Sequence, residues 1–205
     1  MIITKIVLQK NNKDRYSIYI DHIFSFSLDA IDLLKLKLKE NDKISDKEIS
    51  NYKSLYEYTS AKNKALWFLT SRMRTSKEII NKLNHLGFSD ETIEKLINYL
   101  IDLKYIDDGA YADAYISEIL KFKPQGKKLI MANLKAKGID DELISQKLSD
   151  INNETEEELA KKLLEKRYKN INNLDKKEIN KAYLFLARKG FSTDQIMKIL
   201  REFIN

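Results

Sequence analysis

A segment that recurs three times along the chain constrains its fold more than any other feature. It occupies residues 83–93, 134–144 and 186–196, and each copy has a glycine at the same position. These glycines, Gly87, Gly138 and Gly190, lie 51 and 52 residues apart (138 − 87 and 190 − 138). Self-similarity at a fixed spacing of this length is typical of a tandem array of small structural units.

The recurring segment has the pattern of one helix ending and the next beginning. Each glycine follows an amphipathic stretch, where a left-handed residue commonly ends a helix and glycine avoids the strain of a Cβ. The polar residues Ser89, Asp140 and Ser192 are then expected to cap the next helix, and Ser192 forms a capping box with Gln195. Because a further amphipathic stretch precedes each segment, we expect three helices per unit. Units this small must share interfaces with their neighbours.

The N-terminal region has a different period. Apolar residues alternate with polar ones at residues 2–9, placing Ile2, Thr4, Ile6 and Leu8 on one predicted face. A turn signal at residues 11–14 precedes a second alternating run at 16–20, which together predict a β-hairpin. Residues 23–26 are a candidate third strand.

Two further helices are expected before the first unit. Ser27 or Asp29 is a candidate cap for a helix that carries Ile31, Leu34 and Leu38, and Ser45 with Glu48 has the capping-box pattern for a helix that carries Ile49, Tyr52 and Tyr56. The chain contains only five glycines and one proline, which disfavours an all-β sandwich.

The predicted fold class is therefore mainly α: three tandem three-helix-bundle repeats in an elongated array, with a small N-terminal β-hairpin and extra helices. The predicted domains are residues 1–59 for the hairpin and helical extension, 60–106 for the first repeat, 107–153 for the second and 154–205 for the third.

Several function classes lack the residues that they need. The chain has no cysteine, and His22 and His85 are isolated, so neither a zinc site nor a histidine-based triad can be assembled. The sequence contains no phosphate loop or dinucleotide fingerprint. Asp107 and Asp108 are better explained as a helix cap than as metal ligands. We expect no catalytic site, metal or cofactor, and the absence of a long apolar run predicts a cytoplasmic protein.

Positive charge is the remaining functional signal. The net charge is +6 and the isoelectric point is about 9.1, which permits nucleic-acid binding. Three clusters are candidates for contacts with a phosphate backbone or an acidic partner; they comprise Arg72, Arg74 and Lys77; Lys121, Lys123, Lys127 and Lys128; and Lys162, Lys166, Arg167 and Lys169.

Each cluster also has a purely structural explanation. The first follows a predicted helix, whose C-terminus stabilises cations, and Thr75 with Glu78 forms a capping box. The second surrounds residues 124–126 and is either a solvated loop or an anion site at a helix N-terminus. The third could be neutralised within its helix by pairs such as Glu157–Lys161 and Glu158–Lys162.

The chain resembles the RecX regulatory proteins. The resemblance rests on the stretch from Ala65 to Ile79, on residues 105–108 with Tyr111 and Tyr115, on Gly126 with residues 130–139, and on the N-terminal hairpin, which opens Ile-Thr-Lys-Ile. It covers almost the whole chain, although lysine here replaces arginine at most basic positions of the second unit.

The resemblance implies a monomeric regulator that binds the RecA protein and the RecA–single-stranded DNA filament. Such a protein would lie in the helical groove, contact the DNA phosphate backbone, and limit strand exchange, ATP turnover and the co-protease activity of the SOS response. The alternative is a stand-alone DNA-binding protein or transcriptional regulator. That alternative is weakened because no helix concentrates Arg, Asn and Gln on one face for base recognition.

Overall fold

The computed structural model describes residues 1–10, 12–149, 151–168 and 175–203. Within these ranges it contains three strands followed by ten helices: β1 Ile3–Gln9, β2 Asn12–Ile20, β3 Ile23–Asp29, α1 Ala30–Leu36, α2 Asp46–Leu69, α3 Ser76–His85, α4 Asp90–Asp102, α5 Asp108–Phe122, α6 Lys127–Ala136, α7 Asp141–Ser149, α8 Asn153–Arg167, α9 Lys176–Arg188 and α10 Thr193–Arg201. The mainly helical fold class is confirmed, as are the third strand and the three-helix repeats. None of the helices in these ranges combines the length and the apolar surface that a bilayer-spanning helix requires.

The chain forms two compact units. The first contains residues 1–72 and 79–103, and the second contains residues 73–78 and 104–205. Helix α3 therefore begins in the second unit and continues in the first. Helix α2 runs without a break through residues 59–60, where the sequence predicted a domain boundary.

An antiparallel sheet in the order β1-β2-β3 opens the first unit. Its inner face packs on α1, α2 and the α1–α2 connection; the buried residues of this core are Ile3, Ile18, Ile20, Phe26, Leu28, Ile44 and Ile49. The predicted alternation places Ile2 on the face of Ile6, but Ile3 is the buried residue that shares this core with Ile6, whereas Ile2 and Leu8 are about half exposed. An irregularity between Ile3 and Lys5 shifts the pairing with β2 and places Ile3, not Ile2, on the face of Ile6.

Helix α1 also departs from its prediction. Asp29 is the N-cap residue of α1, but the Asp29 side chain makes no capping hydrogen bond. Ile31 and Leu34 are exposed, and Leu38 lies beyond the end of the helix. The capping box that begins α2 is confirmed, since Ser45 and Glu48 bond reciprocally to each other's backbone amides.

The glycine positions of the repeats behave as predicted. Gly87, Gly138 and Gly190 have φ angles of 80°, 84° and 88°. The helices that follow them begin at caps supplied by Ser89, by Asp140 and by Ser192 with Gln195.

The described residues of the second unit form two hydrophobic cores, one for each of the repeats that it includes whole. Helices α5, α6 and α7 surround the first core, which includes Ala112, Ile130, Leu134 and Ile144. Helices α8, α9 and α10 surround the second, which includes Leu164, Leu186, Ile196 and Ile199. Each of these eight side chains is completely buried, so each repeat has a compact centre of its own.

Candidate anion-binding cleft

A cleft of about 570 Å³ lies in the second unit where the C-terminal ends of α5, α8 and α9 meet. We call it the basic cleft. Six of its ten lining residues carry positive charge; the ten are Lys121, Phe122, Lys123, Pro124, Lys162, Leu163, Lys166, Arg167, Phe185 and Lys189.

Helix ends place most of these cations. Lys121 lies in the last turn of α5 and Lys123 follows it, Lys166 and Arg167 end α8, and Lys189 is the residue after α9. The carbonyl groups of a last helical turn lack intrahelical partners and carry partial negative charge. The fold therefore tolerates a concentration of cations here that would be unfavourable on an ordinary surface.

A close backbone contact brings the repeats together beside the cleft. The amide nitrogen of Gly126 donates a hydrogen bond to the carbonyl oxygen of Lys189 at 2.9 Å. A Cβ added to Gly126 would overlap the backbone of Gly190, and one added to Gly190 would overlap Leu129. Glycine is required at both positions because the two segments approach closely, and Gly190 also has a left-handed backbone.

Glu156 makes a second connection between the repeats. Its side chain is almost completely buried, with 4% of its surface exposed. One carboxylate oxygen accepts from the amide of Lys127 at 2.8 Å, and the other accepts from the Gln195 side chain at 2.8 Å. The N-terminus of α6, which the sequence offered as a site for an external anion, is thus occupied by a carboxylate of the protein itself.

The cations of the basic cleft are not neutralised by ion pairs with described carboxylates. Five other lysines of the second unit do pair with carboxylates: Lys135 with Asp141, Lys137 with Glu78, Lys147 with Asp113, Lys161 with Glu202, and Lys198 with Glu157. Within the described part of the chain, none of the six cations of the basic cleft forms an ion pair.

One ion pair considered for the third cluster, Glu157–Lys161 within α8, does not form. Lys161 bonds to Glu202 at 2.6 Å, which raises the pKa of the lysine, and Glu157 bonds to Lys198 at 2.8 Å. Both partners belong to α10 or the turn after it, not to α8. Lys162, one residue from Lys161, lines the basic cleft and forms no ion pair with a described carboxylate.

Two aromatic rings contribute to the basic cleft. The guanidinium carbon of Arg167 lies 4.6 Å from the centre of the Phe185 ring, which holds the cation in a defined place. Phe122 is 68% exposed at the rim, with the ammonium of Lys121 5.2 Å from its ring centre. Fixed cations beside an exposed ring suit a polyanion that also carries flat apolar groups.

The structure brings together five of the eleven predicted binding residues: Lys121, Lys123, Lys162, Lys166 and Arg167. Lys127 and Lys128 begin α6 and do not line the basic cleft. Arg74 and Lys77 belong to the second unit but also lie outside the lining, and the side chain of Lys77 packs over Gly138. Arg72 belongs to the first unit, and Lys169 lies outside the described residues.

Sequence reasoning missed Lys189, Phe122 and Phe185. Lys189 directly precedes the repeat glycine, a position that was explained by helix termination alone. A comparison with Lys137 at the same repeat position could have identified it, since two of the three copies carry lysine there. The two phenylalanines had no comparable signal.

The arrangement presents the concentrated positive charge that an anion site needs. Within the described ranges, no group of three or more His, Asp or Glu side chains is placed to hold a metal ion. Asp107 caps α5 by accepting from the amide of Ala110 at 2.8 Å, as predicted, and Asp108 accepts from the amide of Ser76 at 2.9 Å.

Four family models match the chain in order. They are described as the regulatory protein RecX N-terminal domain, at residues 1–45, and the first, second and third three-helix domains of RecX, at residues 61–100, 107–148 and 154–200.

Curated relatives match over nearly the whole chain. A protein of Bacillus subtilis named Regulatory protein RecX is 38% identical over 95% of this chain and 74% of its own length. One of the same name from Clostridium perfringens is 34% identical over 99% of this chain and 96% of its own length.

Two solved RecX structures are similar to this chain in fold. A crystal structure of regulatory protein RecX superposes with a TM-score of 0.73 at 29% identity, over 98% of both chains. The structure of RecX from Lactobacillus salivarius gives a TM-score of 0.64 at 34% identity, over 72% of this chain and 96% of the other.

Proposed function

This chain belongs to the RecX family of regulatory proteins, and from that premise we propose that it regulates the RecA recombinase of its own cell. It binds RecA and the RecA–single-stranded DNA filament in the cytoplasm as a monomer. By lying in the helical groove of the filament, it limits ATP turnover, strand exchange and co-protease activity. The basic cleft supplies the contact with the DNA phosphate backbone.

The observation that carries this proposal is the set of six cations in one cleft of the second unit, none of them paired with a carboxylate among the described residues. Like charges held close together repel, and Lys162 and Lys166 are four residues apart on one helix, a spacing that destabilises a helix by about 0.2–0.5 kcal/mol. A bound polyanion relieves that repulsion. The positive potential of a cleft also concentrates anions at its mouth and accelerates their association.

The mode of contact follows from the residue types. Five of the six cations are lysines, which act as point charges towards phosphate, whereas only Arg167 offers a planar guanidinium. Such a set neutralises phosphates without reading base edges. Binding that does not depend on sequence suits a regulator of a filament that forms on any single strand.

The direct test is the DNA-dependent ATPase rate of RecA from the same organism, measured while this protein is titrated in. We expect inhibition at ratios well below one per RecA, since one bound regulator in the groove affects several filament subunits. An unchanged rate, with DNA binding by this protein intact, would overturn the proposal and favour a stand-alone DNA-binding protein.

A further inference from the structure

The one tryptophan of the chain lies on the surface of the first unit, in a pocket that the basic cleft does not include. Trp67, in the last turns of α2, is 72% exposed. It lines a pocket of about 470 Å³ together with Arg15, Ser60, Asn63, Lys64, Lys82 and Leu86, which we call the Trp67 pocket. An indole exposed to this extent contributes little to the core, so its environment is suited to binding.

The Trp67 pocket combines two exposed apolar side chains with a one-sided charge. Leu86, which follows α3, is 42% exposed beside Trp67. The lining includes three cations and no carboxylate. Of these cations, Arg15 already lies 3.8 Å from Asp29 and stacks on the ring of Tyr56 at 4.4 Å. The ammonium of Lys82 lies 5.9 Å from the centre of the Phe68 ring, but neither it nor Lys64 is bonded to a described carboxylate, so these two lysines can receive an external negative charge.

These features fit a protein segment better than a nucleic acid. A strand of nucleic acid needs a row of cations that follows successive phosphates, as the basic cleft provides, whereas this pocket offers two lysines. An aliphatic surface beside an indole matches a leucine or phenylalanine side chain inserted from a partner. Tryptophan and arginine are also the residues that most often anchor protein interfaces.

We propose that the Trp67 pocket is a docking site for an acidic protein segment that carries one large apolar side chain. The apolar side chain inserts between Trp67 and Leu86, and carboxylates on either side of it pair with Lys64 and Lys82. The chain then holds two chemically different sites, one for phosphates in the second unit and one for an acidic peptide in the first.

Trp67 itself reports on this interaction, because it is the only tryptophan in the chain. The probe is a peptide with a central leucine and three aspartates on each side, added to the full-length protein. We expect a saturable shift of the Trp67 emission to shorter wavelength as leucine replaces water around the indole. A peptide with serine in place of leucine should give no shift, and one with asparagine in place of aspartate should bind more weakly.

Substitutions test the charge contacts. The double variant Lys64→Gln/Lys82→Gln should weaken binding of the peptide roughly three- to tenfold, as expected for two exposed ion pairs. The matched control, Lys135→Gln/Lys147→Gln, has the same net charge and should bind as the unmodified protein does. Substitutions in the basic cleft should also leave the peptide response unchanged, so that this proposal and the proposed function fail or succeed separately.

Three results would overturn the docking site. One is an unchanged emission spectrum at millimolar peptide, and another is an equal shift with the serine peptide. The third is displacement of the peptide by oligothymidylate with quenching and no wavelength shift, which would assign the pocket to nucleic acid. As a check by a second method, Trp67→Ala should abolish the anisotropy change of a labelled peptide, whereas Leu184→Ala, at another exposed apolar residue, should not.

Discussion

The amide of Gly126 donates to the carbonyl oxygen of Lys189 at 2.9 Å, and the equivalent carbonyl one repeat earlier, that of Lys137, accepts instead from the side-chain hydroxyl of Thr75 at 2.8 Å. Thr75 and Gly126 hold equivalent repeat positions (126 − 75 = 51), as do Lys137 and Lys189 (189 − 137 = 52). The residue before the second helix of one repeat thus bonds to the carbonyl that precedes the glycine of the next. The connection between repeats is itself repeated, and it positions the cations of the basic cleft.

Alanine substitutions at two of the repeat glycines should separate the cost of a left-handed backbone from the cost of overpacking. Gly87 and Gly190 have similar left-handed backbones, but a Cβ at Gly87 would meet no atom within 4 Å, whereas one at Gly190 would overlap Leu129. We expect Gly87→Ala to lower the free energy of unfolding by about 1–2 kcal/mol. Gly190→Ala should cost about 1–3 kcal/mol more because of overpacking. Urea unfolding measures both values, and equal losses would contradict the close contact.

Glu156 should be far more sensitive than an exposed glutamate of the same helix. Glu156→Ala leaves the amide of Lys127 and the side chain of Gln195 without their acceptor, at a cost of about 1–3 kcal/mol in the free energy of unfolding. Glu165→Ala, at an exposed position of α8, should change it by less than about 0.5 kcal/mol. Chemical denaturation of both variants makes the comparison, and similar losses would refute the connecting role of Glu156.

The cap of α5 should make a small part of the free energy of unfolding dependent on pH. The hydrogen bond from the Ala110 amide, aided by the charges of Lys104 and Lys147, holds the pKa of Asp107 below its ordinary value of 3.8. A lowered folded-state pKa gives stability that is present above the unfolded-state pKa and is lost as the pH falls through the folded-state value.

The variant Asp107→Asn keeps a capping oxygen but cannot ionise. We expect it to be less stable than the unmodified protein at neutral pH, by under about 1 kcal/mol because the group is exposed. The difference should shrink as the pH falls below the ordinary aspartate pKa of 3.8. Unfolding free energies measured across this range test the sign, and a difference that grows on acidification would contradict it.

Substitution of the α8 cations should change the salt dependence of DNA binding. For Lys162→Gln/Lys166→Gln/Arg167→Gln, the slope of log K against log salt should become shallower by about 0.7 for each phosphate of single-stranded DNA that the variant no longer neutralises. The control Lys135→Gln/Lys147→Gln/Lys198→Gln removes the same charge from lysines that are bonded to carboxylates, and its slope should stay unchanged. Identical slopes for the two variants would mean that net charge, not the basic cleft, governs binding.

The parts of the fold that depend on nearby residues were predictable from the sequence. The glycines that end helices and the caps at Ser45, Ser89, Asp107 and Ser192 require only residues within one turn, and all are confirmed. The burial of Ile3 in place of Ile2 was not predictable, because it depends on an irregular pairing with β2 that leaves no mark on the alternating pattern.

The sequence identified individual cations of the candidate site but not their grouping in one cleft. Lys121 and Lys123 lie about forty residues before the cations of α8, and their proximity depends on the contact between Gly126 and Gly190. The Glu157–Lys161 pair considered within α8 does not form for a related reason, since Glu157 is bonded to Lys198 on α10, 41 residues away. Local spacing identified the charges, whereas long-range packing decided which were neutralised. The domain boundaries and the binding roles of individual lysines stay predictions.

The most direct test of the central claim measures RecA ATPase inhibition by two triple variants, the one that neutralises the α8 cations and its control. If the basic cleft holds this protein on the RecA–DNA filament, Lys162→Gln/Lys166→Gln/Arg167→Gln should need roughly tenfold or more protein for half-maximal inhibition. Lys135→Gln/Lys147→Gln/Lys198→Gln should inhibit as the unmodified protein does. Equal inhibition by both variants, with both folded, would contradict the role of the basic cleft.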